Sequence, residues 1–152
     1  LTLCMVYDKE RILLGMKKRG FGIGRWNGFG GKVNHKAGET VEQAMYRELE
    51  EEVGIHPLEA KKRGILEFTF EGKSDLLEVH LFSVQAFEGI PKESEEMRPQ
   101  WFEHESIPYE QMWPDDPHWL PNFLKGKNIR GKVHFKDQNT MISHEFNSDF
   151  PN

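Results

Sequence analysis

Apolar and polar side chains follow two different rhythms along this chain. Leu1 to Tyr7 and Arg11 to Lys17 are apolar-rich runs separated by Asp8-Lys9-Glu10, which predicts two paired strands around a turn. Gly64 to Glu71 and Leu76 to Phe87 alternate as strands do, with Phe68 and Phe70 on one face and Gly72 to Asp75 as the turn between them. Trp101-Phe102-Glu103 reads as a short strand after Pro99, and Lys132 to Phe135 with Thr140 to Phe146 as a closing hairpin. A helical rhythm takes over twice, from Thr40 to Gly54 and from Trp113 to Lys125, the second helix opening near Pro114. Strands with helices between and after them predict an α/β fold, a mixed sheet flanked by helices. No internal repeat interrupts this order.

The first helix carries candidate chemistry. Thr40 is a good N-cap, Gln43 completes a capping box and Gly54 is a natural residue just past the end. At about 100° per residue, with Glu48 as zero, Val41, Glu52, Met45 and Leu49 fall at roughly 20°, 40°, 60° and 100°, and Ala44 and Glu51 at roughly −40° and −60°. Glu48 and Glu52 therefore lie within the apolar stripe. A glutamate-rich helix is ordinarily a solvated face, and would turn its carboxylates outward. Here the fully outward positions belong to Gln43 and Glu50. Carboxylates at 48, 51 and 52 converging on one half-buried patch repel one another unless a cation neutralises them. Hard oxygen ligands in this number suit Mg²⁺, or Mn²⁺ in its place.

Composition narrows the class. A chain of 152 residues with no linker-like or low-complexity run is expected to form one domain, residues 1 to 152. With 20 basic and 25 acidic residues the net charge is −5, which argues against a nucleic-acid polymer as partner. One focused basic cluster, Lys17-Lys18-Arg19 followed by Gly20, Gly22, Gly24 and Arg25, suits a triphosphate. Cys4 is the lone cysteine and reads as a core residue of the first strand. It fits a reducing compartment, the cytoplasm by expectation, with mitochondria or nucleus as alternatives. No apolar run reaches the length of a membrane span and no charged-then-apolar leader is present, so no membrane partner is expected. The chain opens at Leu1, so preceding residues are expected and a trimmed targeting segment stays open. The histidines are scattered without zinc-ligand spacing, and no serine- or cysteine-nucleophile motif occurs.

Gly31 to Ile55 (GKVNHKAGETVEQAMYRELEEEVGI) resembles the Nudix box: glycine, five residues, glutamate, seven residues, Arg-Glu, an aliphatic residue, any residue, Glu-Glu, any residue, glycine, aliphatic. From Glu39 onward the match is complete, through Arg47-Glu48-Leu49-Glu50-Glu51-Glu52-Val53-Gly54-Ile55. Between Gly31 and Glu39 lie seven residues instead of five, so Asn34 to Ala37 are an enlargement of the loop, expected to bulge outward. The resemblance implies a Nudix α/β/α sandwich with the mixed sheet between helices. It further implies metal ligation by Glu48, Glu51, Glu52 and the Gly31 carbonyl, Arg47 orienting the glutamates, and water attack on an internal phosphorus. Divalent ions there neutralise phosphate charge and make hydroxide available near neutral pH. Glu48 or Glu52 takes the water's proton in an alternative division of roles that the residues leave open.

A second motif, Met112-Trp113-Pro114-Asp115-Asp116, has a physical reading of its own. Trp113 and Trp119 with Phe21, Phe68 and Phe70 form a slot for a flat purine, each base stack being worth about 1 to 3 kcal/mol. Asp115 and Asp116, side by side in a dry slot, cannot both ionise cheaply, so one stays protonated near neutral pH and the pair offers a donor and an acceptor. Such a pair matches 8-oxoguanine in one protonation arrangement and 2-hydroxyadenine in another. Asn27 offers a donor and an acceptor to another base edge. The competing reading makes the tryptophans core anchors and Pro-Asp-Asp a helix N-terminus, where carboxylates are favoured.

Together with Gly15 to Gly22, Gly24 to Gly31 and Glu96-Met97-Arg98-Pro99, this motif makes nearly the whole chain similar to the animal oxidised purine nucleoside triphosphatases. The similarity implies pocket positions at Thr2, Lys17, Phe21, Asn27, Phe68, Phe70, Trp113, Asp115, Asp116 and Trp119. Leu77 stands where a methionine commonly lines the pocket, a nearly volume-conserving change. Glu96 matches an additional acidic position near the metals, against a solvated-loop reading of Glu93-Ser94-Glu95-Glu96. The implied activity is hydrolysis of 8-oxo-dGTP and 2-hydroxy-dATP to the monophosphate and pyrophosphate, by a monomer acting on a small-molecule nucleotide. The alternatives are a Nudix hydrolase of another nucleotide, such as O6-methyl-dGTP, and a nucleotide-binding module with a disabled box.

Overall fold

A computed structural model describes residues 1–149. Its strands are β1 (Thr2–Tyr7), β2 (Arg11–Lys17), β3 (Trp26–Asn27), β4 (His56–Phe70), β5 (Leu76–Glu88), β6 (Met97–Glu103), β7 (Asn128–Asp137) and β8 (Thr140–Asp149). Two helices, α1 (Val41–Val53) and α2 (Asp116–Leu124), complete the regular structure, with short 3₁₀ turns in the connections.

One eight-stranded sheet runs in the order β3-β2-β1-β5-β4-β7-β8, with β6 on β2. It is mixed: β1 lies parallel to β5 and β4 parallel to β7, and the other pairings are antiparallel. Alternation along the strands supplies two cores. Cys4, Val6, Leu13, Phe82 and Val84 face Met45, Leu49 and Val53 of α1. Met5, Ile12, Leu14, Leu66 and Leu81 face Trp119, Leu120 and Phe123 of α2. The sheet thus sits between helices, as expected for an α/β/α sandwich.

The departure that creates the site is local. β1 and β2 pair around the Asp8 turn as expected, but only through Val6 with Leu13 and Tyr7 with Ile12. Beyond that they diverge, and residues 29 to 31 fill the gap: the Cys4 and Phe29 backbones exchange hydrogen bonds, and the Thr2 N–H donates to the Gly31 carbonyl at 2.8 Å. A side chain on Gly30 would overlap the Thr2 carbonyl, so this wedge needs glycine for close approach.

Several boundaries move for stated reasons. β4 begins at His56, well before Gly64, because Glu59, Lys61 and Lys62 belong to its solvated stretch and mask the alternation. A register shift between Lys62 and Gly64 turns Arg63 inward. The short β3 escapes the pattern entirely. β6 starts at Met97 and contains Pro99, tolerated because β6 pairs only with β2 and its other edge needs no donor. The closing hairpin extends three or four residues further at its open end. α2 starts at Asp116, not Trp113, since Trp113 to Asp116 form a turn closed by the Asp116 N–H on the Trp113 carbonyl.

Candidate active site

The glutamate end is built by α1 and the glycine wedge. Thr40 and Gln43 form the capping box, with both reciprocal hydrogen bonds present, and the Gly54 N–H closes the helix on the Leu49 and Glu50 carbonyls. The enlarged loop folds outward as an exposed 3₁₀ turn, His35–Ala37, capped by Asn34, and leaves that helix start undisturbed. Glu52 is 3 % exposed, and its Oε1 accepts the Gly30 N–H at 2.7 Å. Burial, helped by the charges of Glu48 and Glu96, pushes its carboxyl up to about 8. Glu48 lies beside Gly31 and is likewise raised by burial, against the pull of Arg47.

Arg47 organises the glutamates. It grips Glu39 through two nitrogens at 2.6 and 3.0 Å, holding that carboxyl down near about 2, and its Nη1 reaches Glu48 at 3.0 Å and Glu51 at 3.2 Å. Glu51 is turned outward to Arg47 and its side chain is 58 % exposed. Among the described residues no three acidic or histidine side chains close into a finished metal cage. Glu48 lies against Gly31 and Glu52 against Gly30, whose neighbour Gly31 turns its carbonyl to β1. That carbonyl accepts from Thr2 and keeps a second lone pair.

Lys17 and Glu96, both expected near this patch, meet each other: Lys17 Nζ donates to Glu96 at 3.0 Å, and Arg19 reaches the same carboxylate. Lys18 pairs with Glu93 at 2.6 Å. The basic cluster and the acidic loop, read separately from the sequence, are therefore partners across the mouth of the site. Glu96 is an ion-pair member, drawn below its usual range by Lys17, and no longer a free loop carboxylate. Thr2 is buried at the seam, its hydroxyl accepting the Gly31 N–H at 3.3 Å.

The aromatic end lies on the α2 side of the sheet. Phe21, 58 % exposed, packs 5.1 Å from Trp113 and 6.2 Å from Phe70, measured between ring centroids. Phe68, Phe70 and Trp113 all converge on Phe135, a buried ring of the closing hairpin. Phe21, Phe70 and Leu77 line an open groove of about 370 Å³ together with Lys73, Lys136 and Asp137. The groove stops short of Asn27 and the aspartates. The Asn27 Oδ1 accepts the Gly28 N–H at 2.8 Å, which leaves its amide nitrogen as the donor.

Asp115 and Asp116 are each 2 % exposed at the start of α2, yet neither caps it with its side chain. Trp119, expected as a stacking wall, offers no open face. It is fully buried, and its Nε1–H donates to Asp115 Oδ2 at 2.9 Å. Asp115 Oδ1 and Asp116 Oδ2 are buried with no hydrogen-bond partner. Burial raises both carboxyls, Asp116 the more, because the Asp115 charge adds to it. The Trp119 bond to Asp115 Oδ2 favours negative charge there, which makes Asp116 the preferred seat of a proton shared by the pair.

The NUDIX domain matches residues 2–123. This chain belongs to the Nudix family. Among its Nudix relatives, oxidized purine nucleoside triphosphate hydrolase of mouse is 50% identical over 143 residues, covering 94% of this chain and 90% of that protein. The zebrafish protein of the same description is 49% identical over 145 residues, covering 95% and 92%. A crystal structure of a MutT protein from Bacillus halodurans superposes with a TM-score of 0.83 at 26% identity, covering 96% of this chain and 95% of that one.

Nudix hydrolases depend on divalent metal, and the residues here fit one. The buried Glu52 carboxyl, crowded by Glu48 and Glu96, lacks enough positive charge to ionise freely, which is the deficit a cation removes. The sequence placed Arg25 in the basic cluster suited to a triphosphate, but the structure sets it on the aromatic end. Its guanidinium lies 4.5 Å from the Trp113 ring centroid, a contact for which no local pattern exists.

Proposed function

We propose that this Nudix enzyme hydrolyses oxidised purine nucleoside triphosphates, 8-oxo-dGTP and 2-hydroxy-dATP, to the monophosphate and pyrophosphate. The observation that carries this reading is the Asp115–Asp116 pair, buried in the turn that follows Trp113 with one oxygen of each left without a partner. A fold does not retain two such atoms for stability, because each unsatisfied buried group costs about 1 to 3 kcal/mol. A protonated Asp116 donates and an ionised Asp115 accepts, a pattern that the edge of an oxidised purine returns. The names of the mouse and zebrafish relatives support the same substrate class.

Phe21, Phe68, Phe70 and Trp113 stack on the base, with Leu77 at the rim and Trp119 fixing Asp115 from behind. The Asn27 amide donates to a second base edge, and Thr2 holds the wedge to β1. Glu48, Glu52 and the Gly31 carbonyl would hold Mg²⁺, with Mn²⁺ as substitute, joined by Glu51 once it leaves Arg47, and Glu96 stands by with Lys17. When bound, the cation supplies neutralisation of phosphate charge and activation of water. Glu52, whose Oε1 accepts the Gly30 N–H, would take a proton from water only in a division of roles where it does not ligate the cation, Glu48 being the alternative. Lys17, freed from Glu96, meets the triphosphate. The whole chain works as one domain and as a monomer, and its buried Cys4 suits the cytoplasm. No helix among the described residues is long and apolar enough to cross a membrane.

Pyrophosphate release from 8-oxo-dGTP, 2-hydroxy-dATP, O6-methyl-dGTP, dGTP and ADP-ribose, each with Mg²⁺ and with Mn²⁺, tests the reading. Preference for the two oxidised purines, lost in Asp115→Asn and abolished in Glu52→Gln, is the expected outcome. Equal turnover of dGTP, or turnover of ADP-ribose alone, overturns it.

A further inference from the structure

Arg25 sits at the foot of the loop between β2 and β3, where its carbonyl accepts the Lys17 N–H at 3.0 Å and its own N–H reaches the Gly22 carbonyl at 3.2 Å. Its guanidinium stacks over Trp113 at 4.5 Å, and its Nη2 donates to Asn139 Oδ1 in the turn between β7 and β8. A second nitrogen, Nη1, is buried with no hydrogen-bond partner. It therefore belongs with Asp115 Oδ1 and Asp116 Oδ2 among the few unsatisfied buried polar atoms of the described residues. Arg25 carries a cation whose field reaches both aspartates. Tyr109 is the other ionisable group that senses the pair, its hydroxyl pushed up to about 12 by burial and by Asp116.

We propose that Arg25 is a specificity-determining positioning residue of the base slot. Its guanidinium, pressed on Trp113 and tied to Asn139, holds the stacking wall in place and keeps one positive charge against the Trp113–Asp116 turn that carries the aspartate pair. This rests on the substrate reading above. The charge sets how firmly the pair shares its single proton, and so which donor and acceptor pattern of base it accepts at a given pH. The stack joins three segments distant in sequence, the loop before β3, the segment leading into α2 and the β7–β8 turn. An arginine serves here where a lysine would not fully do, because a planar guanidinium stacks and bonds at once.

The test measures binding of the product-like monophosphate 8-oxo-dGMP by calorimetry across the acid to alkaline range, for wild type, Arg25→Gln, Arg25→Lys and Asn139→Ala, with thermal melts to establish folding. Wild type should show a bell-shaped affinity profile bounded by the first and second protons of the pair. Arg25→Gln should weaken binding about tenfold and move both limbs of the bell to higher pH, since removing a cation raises both carboxyls. Arg25→Lys should restore the position of the bell with partial affinity. Asn139→Ala should weaken binding without moving the bell. A folded Arg25→Gln protein whose profile superimposes on wild type, or whose affinity falls with the bell unmoved, overturns the proposal. Wild-type binding of 8-oxo-dGMP without turnover of 8-oxo-dGTP would instead sink the hydrolase reading and leave this test intact. Absence of any wild-type binding sinks both.

Discussion

Arg63 and the Asp115–Asp116 pair are both buried polar groups at the sheet's α2 face, and they are treated in opposite ways. Arg63 is 6 % exposed and every guanidinium nitrogen is used: Nε on Asn128 Oδ1 at 3.1 Å, Nη1 on the Tyr7 hydroxyl at 2.9 Å, and Nη2 on the Phe123 and Lys127 carbonyls, each at 2.7 Å. It also stacks on Phe123 at 4.2 Å, at the C-terminal end of α2 where a cation is favoured. The aspartates, at the other end of the same helix, keep two oxygens unpaired. Complete satisfaction ties an element down, whereas incomplete satisfaction leaves polar capacity for something that arrives. Glu52 belongs with the aspartates in kind, since one backbone N–H is too little for a carboxylate so deeply buried.

The largest expected effect separates the two classes most sharply. Glu52→Gln should lower kcat by about 10³-fold while making the metal-free protein more stable near neutral pH. The folded carboxyl stands at about 8 against an ordinary 4.5, so the stability it permits is full below 4.5 and is lost as pH rises through 8. At most this is on the order of 5 kcal/mol, and it should vanish from the melting profile of the variant. An unchanged pH slope in urea titrations would break the comparison. Divalent metal added to wild type should flatten the same slope.

Arg63→Met tests the opposite class. Stranding the Phe123 and Lys127 carbonyls and the Tyr7 hydroxyl should cost about 3 kcal/mol, measured by denaturant unfolding, with KM of the folded fraction unchanged. Next in size, Asp115→Asn should weaken binding of 8-oxo-dGTP by about 10- to 100-fold, with a raised melting temperature. Its raised carboxyl destabilises the fold as pH climbs above the ordinary carboxylate range. Asp116→Asn keeps a neutral donor and should cost less than Asp115→Asn. If the aspartate variants lose stability and keep affinity, the pair is structural and the contrast with Arg63 fails. Leu77→Met, at the rim of the groove, should change KM by less than about threefold.

Legibility in the sequence followed the same division. α1 was readable because a capping box, a 3.6-residue period and the inward placement of Glu48 and Glu52 are all local, and the structure keeps each of them. Glu51 departs from the expectation: the wheel had it converge with Glu48 and Glu52 on the half-buried patch, whereas Arg47 draws it outward. The full length of β4 was hidden because a run of charged residues is silent about strand pairing. Arg63 in that run looked like any surface arginine until the register shift turned it inward. Trp119 was read as an open stacking face. Its burial follows from α2 packing on the sheet, which no spacing within the motif reveals.

Residue order along the chain determined which faces are apolar, where α1 begins and ends, and that carboxylates and aromatics of the right kinds are present. Those are properties of a few neighbouring residues, set by helix and strand periods and by caps. Tertiary structure alone decided that Lys17 meets Glu96, that residues 29 to 31 wedge between diverging β1 and β2, that Arg25 lies over Trp113 and that Asp115 and Asp116 are stripped of water. Charge and desolvation act through space, and the energy of a buried group depends on neighbours brought from distant parts of the chain.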